Sequence, residues 1–138
     1  MQFPALILLL LALTTSSSLA QQRTAASYDM KYDNPNLPTD VTACSDGVNG
    51  LSRDYPTLGS FPSFPFICGS PTIGGWNSSN CGKCYRLSYK GRTIIVKAVD
   101  MAVGRFVCSK GALDELTGGM AIALGIVPVE YSPIPTAC

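Results

Sequence analysis

GWNSSNCGKCYRLSYKGRTIIVKAVD, from Gly75 to Asp100, holds the only tryptophan of a 138-residue chain, two of its six cysteines, and an acid closing a β-branched run. From Cys84 to Tyr89 the side chains alternate, with Tyr85, Leu87 and Tyr89 on one face and Cys84, Arg86 and Ser88 on the other. This is the period of a half-buried strand. Lys90-Gly91 supplies a tight turn, and Thr93 to Val99 returns as the second strand of a hairpin ending at Asp100. The class of the molecule then depends on Cys81-x-x-Cys84, a spacing shared by zinc sites, redox motifs and disulfide frameworks.

The rest of the chain separates these readings. The first twenty residues, MQFPALILLLLALTTSSSLA, combine an apolar run from Ala5 to Leu13, a small polar region and a small-x-small site at Ser18-Leu19-Ala20, which reads as a signal peptide cleaved after Ala20. The apolar run is about half of what a membrane span needs. Cys44, Cys68, Cys81, Cys84, Cys108 and Cys138 all follow that segment, and an even number of cysteines behind a signal peptide reads as disulfides. A zinc site is a poor fit, because the chain has no histidine and no second C-x-x-C. A thioredoxin-like motif would open a helix, whereas this one opens a strand. Neither a metal nor a cofactor is implied. Ten basic and nine acidic residues, a net charge of +1 without runs of like sign, argue against nucleic acid and suit a neutral ligand such as a polysaccharide.

Taken in order, 21–27 reads as a flexible N-terminal tail and Tyr28 to Val41 as extended, turn, extended around Asp33-Asn34-Pro35-Asn36. Cys44 to Gly50 is a loop. Between Tyr55 and Pro71, four prolines at 56, 62, 65 and 71 exclude a helix or central strand, leaving an ordered, irregular segment whose aromatics cover core. Arg105 to Ser109 is a short strand, Ala112 to Thr117 a helical turn or two stopped by Gly118-Gly119, and Gly125 to Tyr131 a last strand in which Pro128 marks an edge or bulge. The residues thus describe one small, secreted, mostly β domain of about 118 residues with about three bridges. Pattern alone does not separate barrel from sandwich.

YDNPN at Tyr32 to Asn36, ACSDGVNGL at Ala43 to Leu51, YPTLGSFPSFPFI at Tyr55 to Ile67, GWNSSNCGKCY at Gly75 to Tyr85 and AVDMA at Ala98 to Ala102 together resemble the cerato-platanin family of small secreted fungal proteins. CGKCYRL and the closing GIVPVEY are more loosely similar to barwin and the first domain of expansins. The resemblance spans residues 28–138 and implies a six-stranded double-ψ β-barrel with one or two short helices. It implies bridges from Cys44 to Cys81 and from Cys84 to Cys138. Cys68 and Cys108 are additional to the family's four cysteines and are expected to pair with each other, although six cysteines allow 15 connectivities.

Asp100 would stand in the barrel's groove as an acceptor for sugar hydroxyls, on the pleat face of Ile94, Val96 and Ala98 if the strand stays regular; in related hydrolases the matching residue is a general acid. The bland alternative is a turn or cap aspartate. Met101 follows it where the family usually has histidine. Asp46, Asn49, Asn77 and Asn80 are further polar candidates, each also a natural turn residue. Trp76 could stack on a sugar ring. Asn77-Ser78-Ser79 is an N-glycosylation sequon. An inverting glycosidase needs two carboxylates, and none of Asp46, Asp114 and Glu115 is a compelling partner for Asp100. The expectation is a non-catalytic, monomeric, extracellular or wall-associated binder of chitin or N-acetylglucosamine oligomers or other cell-wall polysaccharide, with wall-loosening and plant-defence-eliciting activity. A host plant receptor is an expected partner; nucleic acid and membrane are not. The alternatives are a weak polysaccharide hydrolase using Asp100, or a surface-active elicitor without a sugar groove.

Overall fold

The computed structural model describes residues 21–138; the signal peptide expected at 1–20 lies outside the described residues. Six strands, β1 (Gln22–Tyr28), β2 (Ile67–Ser70), β3 (Cys84–Tyr89), β4 (Arg92–Met101), β5 (Phe106–Cys108) and β6 (Ile126–Ile134), form a closed double-ψ barrel in the order β1-β5-β2-β4-β3-β6. Two pairs, β1 with β5 and β2 with β4, are parallel, and the other four are antiparallel. Two short helices, α1 (Lys110–Thr117) and α2 (Ala121–Leu124), lie between β5 and β6.

The expected hairpin forms as β3 and β4, with Tyr89 paired to Arg92. Lys90 and Gly91 turn it with φ of 44° and 77°. Two successive positive angles match the right-handed twist of the flanking strands. The helix from Ala112 also forms, beginning two residues earlier than its apolar residues suggest. Ser109 Oγ accepts from Ala112 N at 3.0 Å, and Asp33, from far up the chain, accepts from Lys110 N and Gly111 N at 2.7 and 2.9 Å. Those bonds satisfy the first-turn donors that a helix leaves open. Gly118, at φ 69°, ends it in the left-handed region.

Two expectations are corrected by the backbone. Residues 21–27 are not a flexible tail: β1 closes the barrel between β5 and β6, pairing from Gln22↔Tyr131 to Ser27↔Ile126 on one side and Ala26↔Phe106 to Tyr28↔Cys108 on the other. Its polar residues hide it, since ladder bonds come from backbone and only Ala26 is fully buried. Likewise Ile67–Ser70 is a central strand, held between β4 and β5 and buried along its whole length. It fits into the prolines' gap because Pro65 and Pro71 both fall outside it. Tyr28 to Val41 contains two helical turns, Met30–Asp33 and Thr39–Val41, in place of uniformly extended chain. Pro128 lies beyond the last β3–β6 pair, Ser88↔Glu130, where β6 is locally an edge.

The barrel interior is filled by Tyr85, Phe106 and Tyr131, packed edge-to-face with centroids 5.1 to 6.2 Å apart, together with Leu87, Val96, Val127 and Val129. A second cluster, Tyr32, Leu58, Phe61, Ile67 and Val99, covers the outside of β2 and β4. It is the proline-rich segment that supplies Leu58 and Phe61, as its aromatics suggest. Disulfides join Cys44 to Cys81, Cys84 to Cys138, and Cys68 to Cys108. The last is a direct cross-strand pair between β2 and β5.

Candidate carbohydrate-binding face

Asp100 leaves its expected face because β4 is not regular to its end. Cys68 pairs with Ala98, but the next residue of β2, Gly69, pairs with Asp100, so Val99 is an extra residue on β4. Such a bulge re-aims the side chains beyond it. Ala98 points into the barrel with the first cluster, whereas Val99 joins the outer cluster and Asp100 meets Tyr32 on that side.

The carboxylate there is largely occupied. Its Oδ1 accepts from Ala43 N and from Met101 N, both at 2.9 Å, and Oδ2 accepts from the Tyr32 hydroxyl at 2.7 Å. Three of roughly four acceptor positions are therefore filled from within. Burial, then the bond to Asp100, holds the Tyr32 phenol far above its ordinary range, so it stays a neutral donor. Asp100 thus anchors the loop before Cys44 to the barrel, and no more than one lone pair on Oδ2 is left for a ligand.

The other candidates divide. Asp46 and Trp76 come together: Asp46 Oδ1 accepts from the indole Nε1 at 2.6 Å while the ring itself is 63% exposed. Asn49 and Asn77 lock their two loops together, Asn49 N donating to Asn77 Oδ1 at 2.9 Å and Asn49 Nδ2 to the Asn77 carbonyl at 3.0 Å. Asn77 adopts φ 59°, a left-handed turn conformation that asparagine tolerates. Gly47 lies beneath this junction at φ 84°; a Cβ there would stand 2.7 Å from Asn77 Oδ1 and 3.0 Å from Trp76 Cζ2. Asn80 turns elsewhere, its amide donating to the Thr72 carbonyl at 2.7 Å. The Cys44–Cys81 bridge ties the two loops together from behind. The result is a rigid, outward-facing indole beside a polar cleft of about 400 Å³ lined by Ser45, Asp46, Ser52, Arg53 and Asp54.

Lys97 is a residue that sequence reasoning missed. It is 8% exposed on β4, with Nζ 5.8 Å from the ring centroids of both Tyr55 and Phe61, which stack on each other at 4.6 Å. Burial pulls its amine below the usual lysine range. The signal was available: a lone cation inside the apolar run Ile94-Ile95-Val96-Lys97-Ala98-Val99.

Residues 24–138 match the family model described as Cerato-platanin. Allergen Asp f 15 of Aspergillus fumigatus is 50% identical over 115 residues, covering 83% of this chain and 76% of the relative. The crystal structure of cerato-platanin 2 from M. perniciosa superposes with a TM-score of 0.79 at 42% identity, covering 82% of this chain and 94% of that one. An expansin of Clavibacter michiganensis, solved in complex with cellohexaose, reaches a TM-score of 0.60 at 16% identity over 86% of this chain and 52% of its own, which is a likeness of fold. On the family match and these identities, the chain is a member of the cerato-platanin family.

Proposed function

We propose that this protein acts outside the cell as a non-catalytic binder of neutral wall polysaccharide, with chitin or N-acetylglucosamine oligomers as its preferred ligand. Wall loosening and the eliciting of plant defence are taken to arise from that binding. The observation that carries this reading is the Trp76 indole, held by Asp46 and left open to solvent. An apolar ring face with a polar rim matches the alternating apolar and hydroxyl surfaces of a pyranose, and a ring already fixed loses little freedom on binding. Asp46 Oδ2, Asn49 Oδ1 and Asn77 Nδ2 have no protein partner among the described residues and can meet hydroxyl or acetamido groups beside it.

The occupancy of Asp100 weighs against a hydrolytic reading, since a general acid must present its proton to the leaving oxygen. The test is retention on insoluble chitin. The wild type is expected to be retained and to be released by chitooligosaccharide more readily than by cellohexaose, while Trp76→Ala passes through. Equal retention of the two proteins would refute the assignment, and release of reducing ends by the wild type would restore the hydrolase.

A further inference from the structure

The turn that carries Trp76 also carries Asn77-Ser78-Ser79, and the geometry of its amide goes beyond what the tripeptide says. Asn77 Oδ1 is turned inward onto Asn49 N–H and the bare Cα of Gly47. Because oxygen and nitrogen diverge from one planar carbon, Nδ2 is directed away from that contact. It donates to no group among the described residues, and it is not a buried polar atom, the one such atom without a partner there being Ser63 Oγ. The Ser79 side chain is exposed and likewise makes no hydrogen bond among the described residues. Asn77 and the Trp76 ring meet side by side over Gly47.

We infer that Asn77 is an N-glycosylation site whose first sugars cover the Trp76 indole, so that occupancy decides whether the carbohydrate-binding face is open. The covering half rests on the function proposed above; the modification half does not. In the transfer, Nδ2 bonds to the anomeric carbon of a lipid-pyrophosphate-linked oligosaccharide supplied by the secretory pathway. The bond from that carbon to the pyrophosphate oxygen breaks, and the amide proton leaves with the lipid pyrophosphate. The inward hydrogen bond of Oδ1 survives, since only the nitrogen is substituted. An N-acetylglucosamine on Nδ2 then starts next to the indole and offers it the same apolar sugar face that a free ligand would.

Ser79→Ala separates the two states cleanly, because it removes the sequon and touches no hydrogen bond of the site. The full chain and this variant are secreted from a eukaryotic host and compared by intact mass, by iodide quenching of the single tryptophan and by titration with chitotetraose. The wild type is expected to carry a glycan mass on the peptide containing Asn77, to quench at about half the rate of the variant or less, and to bind about tenfold more weakly. A wild-type mass equal to that of its polypeptide would overturn the modification. Equal quenching of a glycosylated wild type and the variant would overturn the covering. Absence of chitotetraose binding by Ser79→Ala would count against the proposed function alone, since mass and quenching need no ligand.

Discussion

Asp100 holds two backbone N–H groups and one phenol, and this explains why its substitution is a poor probe of ligand binding. Asp100→Ala would leave three donors without their acceptor, each worth about 1 to 3 kcal/mol when stranded, so lost binding would be inseparable from a loosened loop. Tyr32→Phe removes one of the three; equilibrium unfolding is expected to show a loss of about 1.5 to 3 kcal/mol, the range of a hydrogen bond to a charged group. Lys97 makes the opposite case. Its cation–π contacts lie near the outer limit at 5.8 Å, and burial prevails in lowering its pKa. Between that lowered value and the ordinary lysine value, the unfolded chain binds the extra proton, so stability rises with pH across that alkaline window. Below both values the burial cost stands in full. Lys97→Met is therefore expected to raise the thermal midpoint at neutral pH and to flatten the alkaline rise, as unfolding scans from about pH 7 to 10 would show.

Among the elements, those set by local rules were readable. The β3–β4 hairpin comes from two alternating runs and a Lys-Gly turn, and α1 from an apolar stripe ending in Gly118. The elements that escaped were set by distant partners. Polar β1 is a strand because β5 and β6 stand on either side of it. β2 is a strand because it fills the space between β4 and β5, although prolines flank it. The bulge at Val99 is written in the register of β4 against β2, so the alternation of β4 alone could not show that Asp100 faces outward. The loop junction was legible only as a set of turn residues; that Asp46 holds Trp76 while Asn49 holds Asn77 depends on the fold bringing loops together. Gly47→Ala tests the junction. Its Cβ would meet Asn77 Oδ1 and the indole at a backbone angle that L residues rarely adopt. Chitin affinity is expected to fall at least about tenfold, and stability by about 1 to 3 kcal/mol, both read by titration and urea unfolding of one sample.

For the molecule as a whole, barrel closure is the feature that neither composition nor periodicity could supply; it came from the resemblance. It also makes a demand that an N-terminal tail would not. Deleting residues 22–28 is expected to abolish the cooperative unfolding transition, because it opens β5 and β6 along their edges and exposes the Phe106 and Val127 core. A deletion variant that melted like the parent would mean that β1 is dispensable. With three disulfides behind it, the closed barrel holds the Trp76 turn still, and this rigidity is the property on which the proposed sugar platform depends. Trp76 is the only tryptophan, so its emission reports on the proposed face and nothing else. The most direct measurement is that emission during titration of Ser79→Ala with chitotetraose. A saturable blue shift, accompanied by protection from iodide and weaker with cellohexaose, is the predicted result. Unchanged emission at millimolar chitotetraose, with the protein folded, would contradict the claim that this indole is the carbohydrate platform.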